Sequence, residues 1–294
     1  MSDKVNTFKL RSFMLVAAKK ERYLEKLLEL EGENKPDCVL LDLEDSAKKH
    51  EKQDARENLR EYFKDGQYRK KLTDKYHIAV RINPFNSSFF EDDIELVKGL
   101  DIDFVMSAKT ESVEEVNYLE DKLPEKQKFI VLESREGLDN RSEILDNMKE
   151  NDLFALGYED LSTELMIERP SNLSEINPIS KIIMDSVIES KSRDIMMVDA
   201  PSRKFDSESK LDELKQECEF TYSSGLTSKV AINPAQVSTI NKVFSKKGLV
   251  KKAKKVIKKI EGKEGEAITT DDQGDFIALP SYRKSKKILQ LCNR

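Results

Sequence analysis

Short apolar runs recur along this chain at a nearly even spacing, and no other feature of the sequence restricts the fold as strongly. The runs cover residues 13–18, 38–43, 78–82, 104–106, 129–132, 153–156, 195–198 and 230–232. Most are apolar throughout instead of alternating with polar residues, which is typical of parallel strands that are buried on both faces. We therefore predict eight parallel strands.

Segments with helical periodicity separate these runs, most clearly at residues 21–30, 112–123, 142–148 and 211–222. Eight alternating strand and helix units in about 235 residues are what a (β/α)8 barrel, or TIM barrel, requires. An open doubly wound sheet is the alternative arrangement of the same units. The sequence thus predicts the α/β class, with the barrel as its architecture.

A C-terminal extension follows the eighth unit. Apolar residues fall on one helical face from Leu249 to Ile260 and lysines cover the rest, which predicts an amphipathic helix with a solvated face. Residues 265–278 are expected to form a short hairpin or loop, and a last helix is expected near Ser281, after Pro280. The predicted domains are a barrel over residues 1–246 and an extension over residues 247–294.

Charge and cysteine content exclude several classes of protein. The net charge is −5, so a chain-wide attraction to nucleic acid is not expected. The three cysteines, Cys38, Cys218 and Cys292, form no close pair, as in proteins with reduced thiols. The first residues contain no apolar segment like that of a signal peptide, and the early apolar run is far shorter than the roughly 20 residues of a membrane helix. We expect a soluble cytoplasmic protein without membrane contact.

Polar residues that follow the apolar runs are the candidates for chemistry, because barrel enzymes act at the carboxyl ends of their strands. In chain order these residues are Asp42, Glu44, Asp45, Arg81, Asn83, Lys109, Glu133, Glu159, Asp160, Asn233 and Gln236. The two histidines, His50 and His77, follow none of the runs, so a zinc site is not expected. Oxygen ligands of this kind suit Mg²⁺ or Mn²⁺.

Glu133 and Asp160 are the predicted ligands of that divalent ion. Carboxylates that converge without a cation repel one another, and a bound ion removes this cost. The ion would act as a Lewis acid toward an α-keto acid, while Arg81 would hold the substrate carboxylate by two hydrogen bonds. Structural explanations stay open at this point. Asp160 also fits a helix cap, Glu133 fits an internal salt bridge with Arg81, and Lys109 fits a solvated surface residue.

Seven segments, taken in order, resemble the citrate lyase β-subunit-like branch of the HpcH/HpaI aldolase superfamily. They are RSFMLVAAKKERYLEKLLE, CVLLDLEDSA, VRINPFNS, FVMSAKTES, FIVLESREGLDN, FALGYEDLSTEL and SKVAINPAQVSTIN. Each segment alone is a weak signal, whereas seven at compatible spacing over nearly the whole chain are specific.

The resemblance implies a set of roles. The metal ligands of the family fall on Glu133 and Asp160, and its substrate-carboxylate arginine falls on Arg81. Its acidic pair, which binds metal-coordinated waters, falls on Glu44 and Asp45. Arg11, Lys109 and Asn233 are the further substrate-binding candidates. The family also implies a homotrimer or hexamer in which the C-terminal segment reaches a neighbouring subunit.

The implied activity is Mg²⁺-dependent cleavage or formation of a carbon–carbon bond in a small oxo- or hydroxy-acid, often as a coenzyme A thioester. Ala17 and Ala18 replace a Pro-Gly turn that helps to seat coenzyme A, which puts thioester use in doubt. Ala278 replaces an aspartate that acts as an acid or base, and Asn233 replaces a histidine. Two alternatives therefore stand beside the lyase: a repurposed enzyme with a substrate free of coenzyme A in a biosynthetic or stress operon, and a non-catalytic scaffold subunit.

Overall fold

Eight parallel strands close into a barrel in the computed structural model of the protein, which describes residues 4–19, 21–170, 177–261, 268–270 and 276–293. The strands are β1 (Ser12–Ala17), β2 (Cys38–Asp42), β3 (His77–Ile82), β4 (Phe104–Ser107), β5 (Gln127–Leu132), β6 (Leu153–Leu156), β7 (Met196–Asp199) and β8 (Ser228–Ala231). Each pairs in parallel with the next, and β8 pairs with β1. The predicted (β/α)8 barrel is confirmed, and closure excludes the open sheet.

Helices connect the strands, as the periodic segments predict. They are α1 (Glu21–Leu27), α2 (Lys52–Lys64), α3 (Gly66–Lys75), α4 (Phe90–Lys98), α5 (Val113–Lys122), α6 (Arg135–Asp139), α7 (Arg141–Asn147), α8 (Tyr158–Glu164), α9 (Pro178–Ser192), α10 (Glu208–Ser224) and α11 (Pro234–Val243). Side-chain caps begin several of them; Asn177 and Ser207, for example, each accept a hydrogen bond from a backbone N–H in the first turn.

Side chains of the strands alternate between the barrel interior and the surrounding helices. Phe13 of β1 and Phe129 of β5 come from opposite sides of the barrel, yet their ring centroids lie 5.4 Å apart, so both fill the interior. Ile130 and Leu132, in the other register of β5, belong to the apolar cluster beneath the helices. With a period of two, the inward register of β5 continues through Val131 to Glu133.

The chain divides into two compact units, Met1–Phe244 and Ser245–Arg294. The second unit contains α12 (Lys247–Glu261), an antiparallel hairpin of β9 (Ile268–Thr270) and β10 (Phe276–Ala278), and α13 (Leu279–Asn293). The predicted helical and hairpin extension is confirmed; residues 262–267 and 271–275 lie outside the described residues. The last helix begins two residues before Ser281, because a proline such as Pro280 is tolerated in a first turn. Among the described helices, none has the length and apolarity needed to cross a membrane.

Candidate active site

Charged residues predicted from the ends of five successive strands meet at the carboxyl end of the barrel. Arg81 Nη1 lies 3.0 Å from Glu44 Oε2. Lys109 Nζ lies 3.0 Å from Glu44 Oε1 and 3.6 Å from Asp160 Oδ2. The backbone N–H of Lys109 donates to Glu133 Oε1 at 3.0 Å. Because these residues follow or end β2 to β6 in turn, the network spans about half of the barrel mouth.

Arg81 is fixed by an acidic residue for which the sequence suggested no such role. Its Nε and Nη2 donate to the two carboxylate oxygens of Asp42 at 2.7 and 2.8 Å. Burial alone would raise the pKa of Asp42, but the charge and hydrogen bonds of Arg81 hold it below its usual value. One edge of the guanidinium is thus already occupied, so a substrate carboxylate would meet its remaining N–H groups.

The loop after β2 is held in place by buried polar side chains. Lys52 donates from Nζ to the carbonyl oxygens of Leu43 and Glu44 at 2.9 and 2.6 Å. Asn83 donates from Nδ2 to the carbonyl of Leu43 at 3.2 Å. These bonds fix the backbone that carries Glu44, whose carboxylate is buried, whereas the side chain of Asp45 is 64% exposed.

Glu133 lies in a space that exists because the residue directly after β6 is a glycine, Gly157. The N–H of Gly157 donates to the carbonyl of Leu132 at 2.9 Å, which continues the pairing of the strands beyond their ends. A Cβ at position 157 would lie 2.1 Å from Oε2 of Glu133 and 2.6 Å from its Cβ. Burial, reinforced by the negative charge of Asp160, raises the pKa of Glu133 to about 7.

Lys109 has a left-handed backbone, with φ of 53°. For a residue with a side chain, this conformation costs about 1–3 kcal/mol and persists where the surrounding structure requires it. Here it accompanies the hydrogen bond from the backbone N–H to Glu133. Burial alone would lower the pKa of Lys109, but its hydrogen bond to Glu44 and the nearby carboxylates raise it, so its ammonium is charged.

The donor set fits Mg²⁺ bound partly by water and substrate oxygens. Among the described residues, no three histidine, cysteine or acidic side chains are grouped closely enough to hold an ion by themselves. Mg²⁺ is commonly held by one or two carboxylates and keeps several other oxygen ligands. Glu133 and Asp160 would supply two such carboxylates. Burial and the nearby charge of Asp160 disfavour the ionised form of Glu133, and a bound positive ion would stabilise that form.

The part of the chain that carries all eight strands matches a known family. A model of the HpcH/HpaI aldolase/citrate lyase family matches residues 11–234. The chain belongs to this family. A (3S)-malyl-CoA thioesterase of Cereibacter sphaeroides is 28% identical over 236 residues, which cover 80% of this chain and 77% of that protein. The citrate lyase β subunit of Leuconostoc mesenteroides is 23% identical over 87% of this chain and 86% of its own length. These relatives agree with the predicted citrate lyase β-like branch.

A solved structure shares the fold of this HpcH/HpaI family member. The CitE protein of Mycobacterium tuberculosis, in complex with magnesium, acetoacetate and coenzyme A, superposes with a TM-score of 0.74. The match covers 98% of this chain and all of the other, at 18% identity. The family consists of enzymes, and both lyases and thioesterases occur among the relatives of this chain.

Two of the predicted substrate-binding residues do not join the charged network. Arg11 directly precedes β1, at the amino-terminal end of the barrel, and its guanidinium bonds Asp37 at 2.9 and 2.6 Å. The expected substrate contact does not hold for Arg11, because it lies at the opposite end from the other candidates. Asn233 lies at the carboxyl end, where its Oδ1 accepts the N–H of Ala235 and caps α11.

A buried ionic network supports the helix that carries Asp160. The hydroxyl of Tyr158, the first residue of α8, donates to Asp199 at 2.7 Å. Lys229 donates to Asp199 at 2.6 Å and to Glu217 at 2.8 Å, and its side chain is fully buried. No sequence pattern predicts this group; the available signal is a lysine immediately before the last apolar run.

Proposed function

We propose that this family member is a Mg²⁺-dependent enzyme that cleaves or forms a carbon–carbon bond in a small oxo- or hydroxy-acid. The observation that carries the proposal is the meeting of Glu133 and Asp160 with Arg81 and Lys109 at the carboxyl end of the barrel. Glu133 and Asp160 would hold the ion, for which Mn²⁺ is a substitute. When bound, the ion supplies Lewis acidity toward negative charge that develops on substrate oxygens.

Other residues of the site bind the substrate and orient the metal ligands. Arg81, oriented by Asp42, binds the substrate carboxylate through N–H groups that Asp42 does not occupy. Lys109 pairs with Oε1 of Glu44 through its side chain, and its backbone N–H orients the carboxylate of Glu133. Glu44 and Asp45 accept hydrogen bonds from waters around the ion. Ala278 has no titratable group and cannot transfer a proton, so that role falls to groups of the barrel site.

Hydrolysis of a coenzyme A thioester is the second candidate function. The similarity to the (3S)-malyl-CoA thioesterase of C. sphaeroides favours it. Ala17 and Ala18 stand against it, since they replace the turn that the resemblance associates with coenzyme A. Ala18 is fully buried, and its N–H donates to the carbonyl of Asp42. This segment therefore continues the pairing of the barrel strands and does not form an exposed turn.

One substrate separates the two reactions. Incubation of the purified protein with (3S)-malyl-CoA, with Mg²⁺ or with EDTA, yields glyoxylate and acetyl-CoA if the carbon–carbon bond is cleaved. It yields malate and the free thiol of coenzyme A if the thioester is hydrolysed. Free malate and citramalate test for a substrate without coenzyme A. Release of a 2-oxo acid (glyoxylate or pyruvate) that requires Mg²⁺ supports the lyase. No turnover of any of these compounds by metal-loaded protein counts against it and favours the scaffold.

Gly157→Ala tests the space around the proposed metal ligand. The added Cβ overlaps the carboxylate of Glu133, which must move. We expect Mg²⁺ affinity to fall about 10–100-fold, as when the support of a metal ligand is lost. Isothermal titration calorimetry measures the change. Gly99→Ala is the matched control, because its Cβ meets its nearest neighbour at 3.7 Å, an ordinary contact. Unchanged affinity in Gly157→Ala would contradict the role given to Glu133.

The assembly is a further part of the proposal. We propose a homo-oligomer, a trimer or hexamer, in which the unit Ser245–Arg294 packs on a neighbouring copy. The charge distribution supports it: α12 carries seven lysines and one glutamate, while the whole chain has a net charge of −5. The net negative charge of the chain favours contact between this basic helix and another copy. Light scattering coupled to gel filtration should give three or six times the 33.8 kDa of the chain; a monomer would contradict the proposal.

A further inference from the structure

We propose that the ammonium group of Lys109 is a resident cation of the carboxylate site, which a divalent metal ion must displace. Lys109 then sets the metal affinity of the site. This inference rests on the metal site of the proposed function and goes beyond it, because it gives the metal-free protein a defined internal counter-ion. It also differs from the expectation that Lys109 binds substrate.

The first support is the position of the ammonium between two acidic residues from different parts of the barrel. Nζ lies 3.0 Å from Oε1 of Glu44, after β2, and 3.6 Å from Oδ2 of Asp160, on α8. Asp160 is one of the two proposed metal ligands. An ammonium on its carboxylate occupies a position that a metal ion would need, and two cations in contact with one carboxylate repel each other.

The second support is the backbone of the same residue. The N–H of Lys109 donates to Oε1 of Glu133, the other proposed ligand, at 3.0 Å. Through its backbone and side chain, Lys109 thus contacts Glu133, Glu44 and Asp160 together. Its φ of 53° accompanies this double contact. Unfavourable backbone conformations at a charged site often accompany a functional constraint.

The third support is the charge balance of the site. Arg81 compensates Asp42, to which it is bonded by two N–H groups, and lies 3.0 Å from Glu44. Lys109 is the cation that contacts Asp160 in the ranges that the structure describes. Its side chain is 36% exposed and has a flexible four-carbon stem, so the ammonium can move into solvent when a metal ion enters. The backbone bond to Glu133 is unaffected by that movement.

The test is the metal affinity of Lys109→Met. Methionine keeps the length of the side chain and the backbone N–H but removes the competing charge. We expect Mg²⁺ and Mn²⁺ to bind about tenfold more tightly or better, a change that is well resolved by titration calorimetry. In the absence of metal, the variant should melt at a lower temperature than the wild type, and Mg²⁺ should raise its melting temperature by more.

Two further variants separate this effect from general electrostatics. Lys19→Met removes the same charge at another position that follows a strand. Lys19 pairs with Glu51 at 2.7 Å, outside the carboxylate site, so this variant should bind Mg²⁺ as the wild type does. Lys109→Arg keeps the positive charge and should show no gain. Equal or weaker metal binding by Lys109→Met overturns the inference while the metal site stands. If neither the wild type nor any variant binds Mg²⁺ or Mn²⁺, the metal site and the inference fail together.

Discussion

Glu133→Gln is expected to weaken Mg²⁺ binding more than about a hundredfold, beyond the 10–100-fold that is typical of outer-shell partners. The amide keeps the size of the side chain and its ability to accept the N–H of Lys109, but it removes the negative charge that a hard divalent ion requires. Catalytic turnover should disappear with the bound metal. Calorimetric titration and the product assay on the same preparation measure both losses.

The same substitution should stabilise the metal-free protein at alkaline pH. Burial raises the pKa of Glu133 from 4.5 to about 7, so the folded protein holds this proton more tightly than the unfolded chain does. The resulting stabilisation is complete below pH 4.5 and is lost as the pH rises through 7. Glutamine cannot ionise, so in EDTA the variant should exceed the wild type by about 2 kcal/mol of unfolding free energy at pH 8. The difference should vanish near pH 4.

Glu115→Gln is the matched control for this experiment. Glu115 is buried on α5, away from the charged network, and burial also raises its pKa to about 7. It should therefore gain stability at alkaline pH, as Glu133→Gln does, while it keeps the metal affinity of the wild type. If Glu133→Gln also kept the metal affinity of the wild type, the assignment of Glu133 as a metal ligand would be wrong. If only Glu133→Gln loses affinity, the change in stability that both variants share does not explain the loss.

The barrel and much of its charged mouth follow from local sequence patterns. A strand such as β5 is recognisable because its apolar run is short, continuous and followed by polar residues. The period of two then directs Glu133 inward, since Phe129 fills the interior. The rule that barrel chemistry lies at carboxyl ends selects Glu44, Arg81 and Lys109 from many other charged residues. These predictions require only the order of the strands along the chain and the alternation of strands and helices in the barrel.

Other parts of the site depend on contacts that no local pattern contains. Arg81 bonds Asp42 because β2 and β3 pair with these two residues side by side, a register that the sequence does not specify. The space at Gly157 and the left-handed backbone of Lys109 appear only when β4, β5 and β6 are assembled. Arg11 fails as a substrate contact for the converse reason, since a residue before a strand lies at the other end of the barrel.

Lys229→Met should destabilise the protein by about 3–5 kcal/mol, the usual cost of removing one partner from a buried ion pair. Lys229 and Asp199 are both fully buried, and Glu217 shares the ammonium. Without it, Asp199 loses its ammonium partner in the protein interior, and Glu217 keeps a longer ion pair with Lys204, at 3.7 Å. The network also includes Tyr158 on α8, so the loss should loosen the helix that carries Asp160. Urea unfolding at neutral pH measures the change.

Lys128→Met is the control that separates the loss of a buried ion pair from the loss of a buried lysine side chain. Lys128 is as deeply buried on β5, but its bonds are to the carbonyls of Leu123 and Lys126 and to Glu120, which is 26% exposed. Its loss leaves no buried charge and should cost about 1–2 kcal/mol.

Burial alone would raise the pKa of Glu217, but Lys229 holds it below the usual value, so this part of the wild-type stability is present above pH 4.5 and is lost as the pH falls. The deficit of Lys229→Met should therefore shrink strongly in acid. That of Lys128→Met should shrink less: burial alone would raise the pKa of Glu120, but Lys149 and Lys128 together hold it below its usual value, and Glu120 is partly exposed. A Lys229→Met deficit that stayed the same at every pH would mean that packing, not charge, is the role of Lys229.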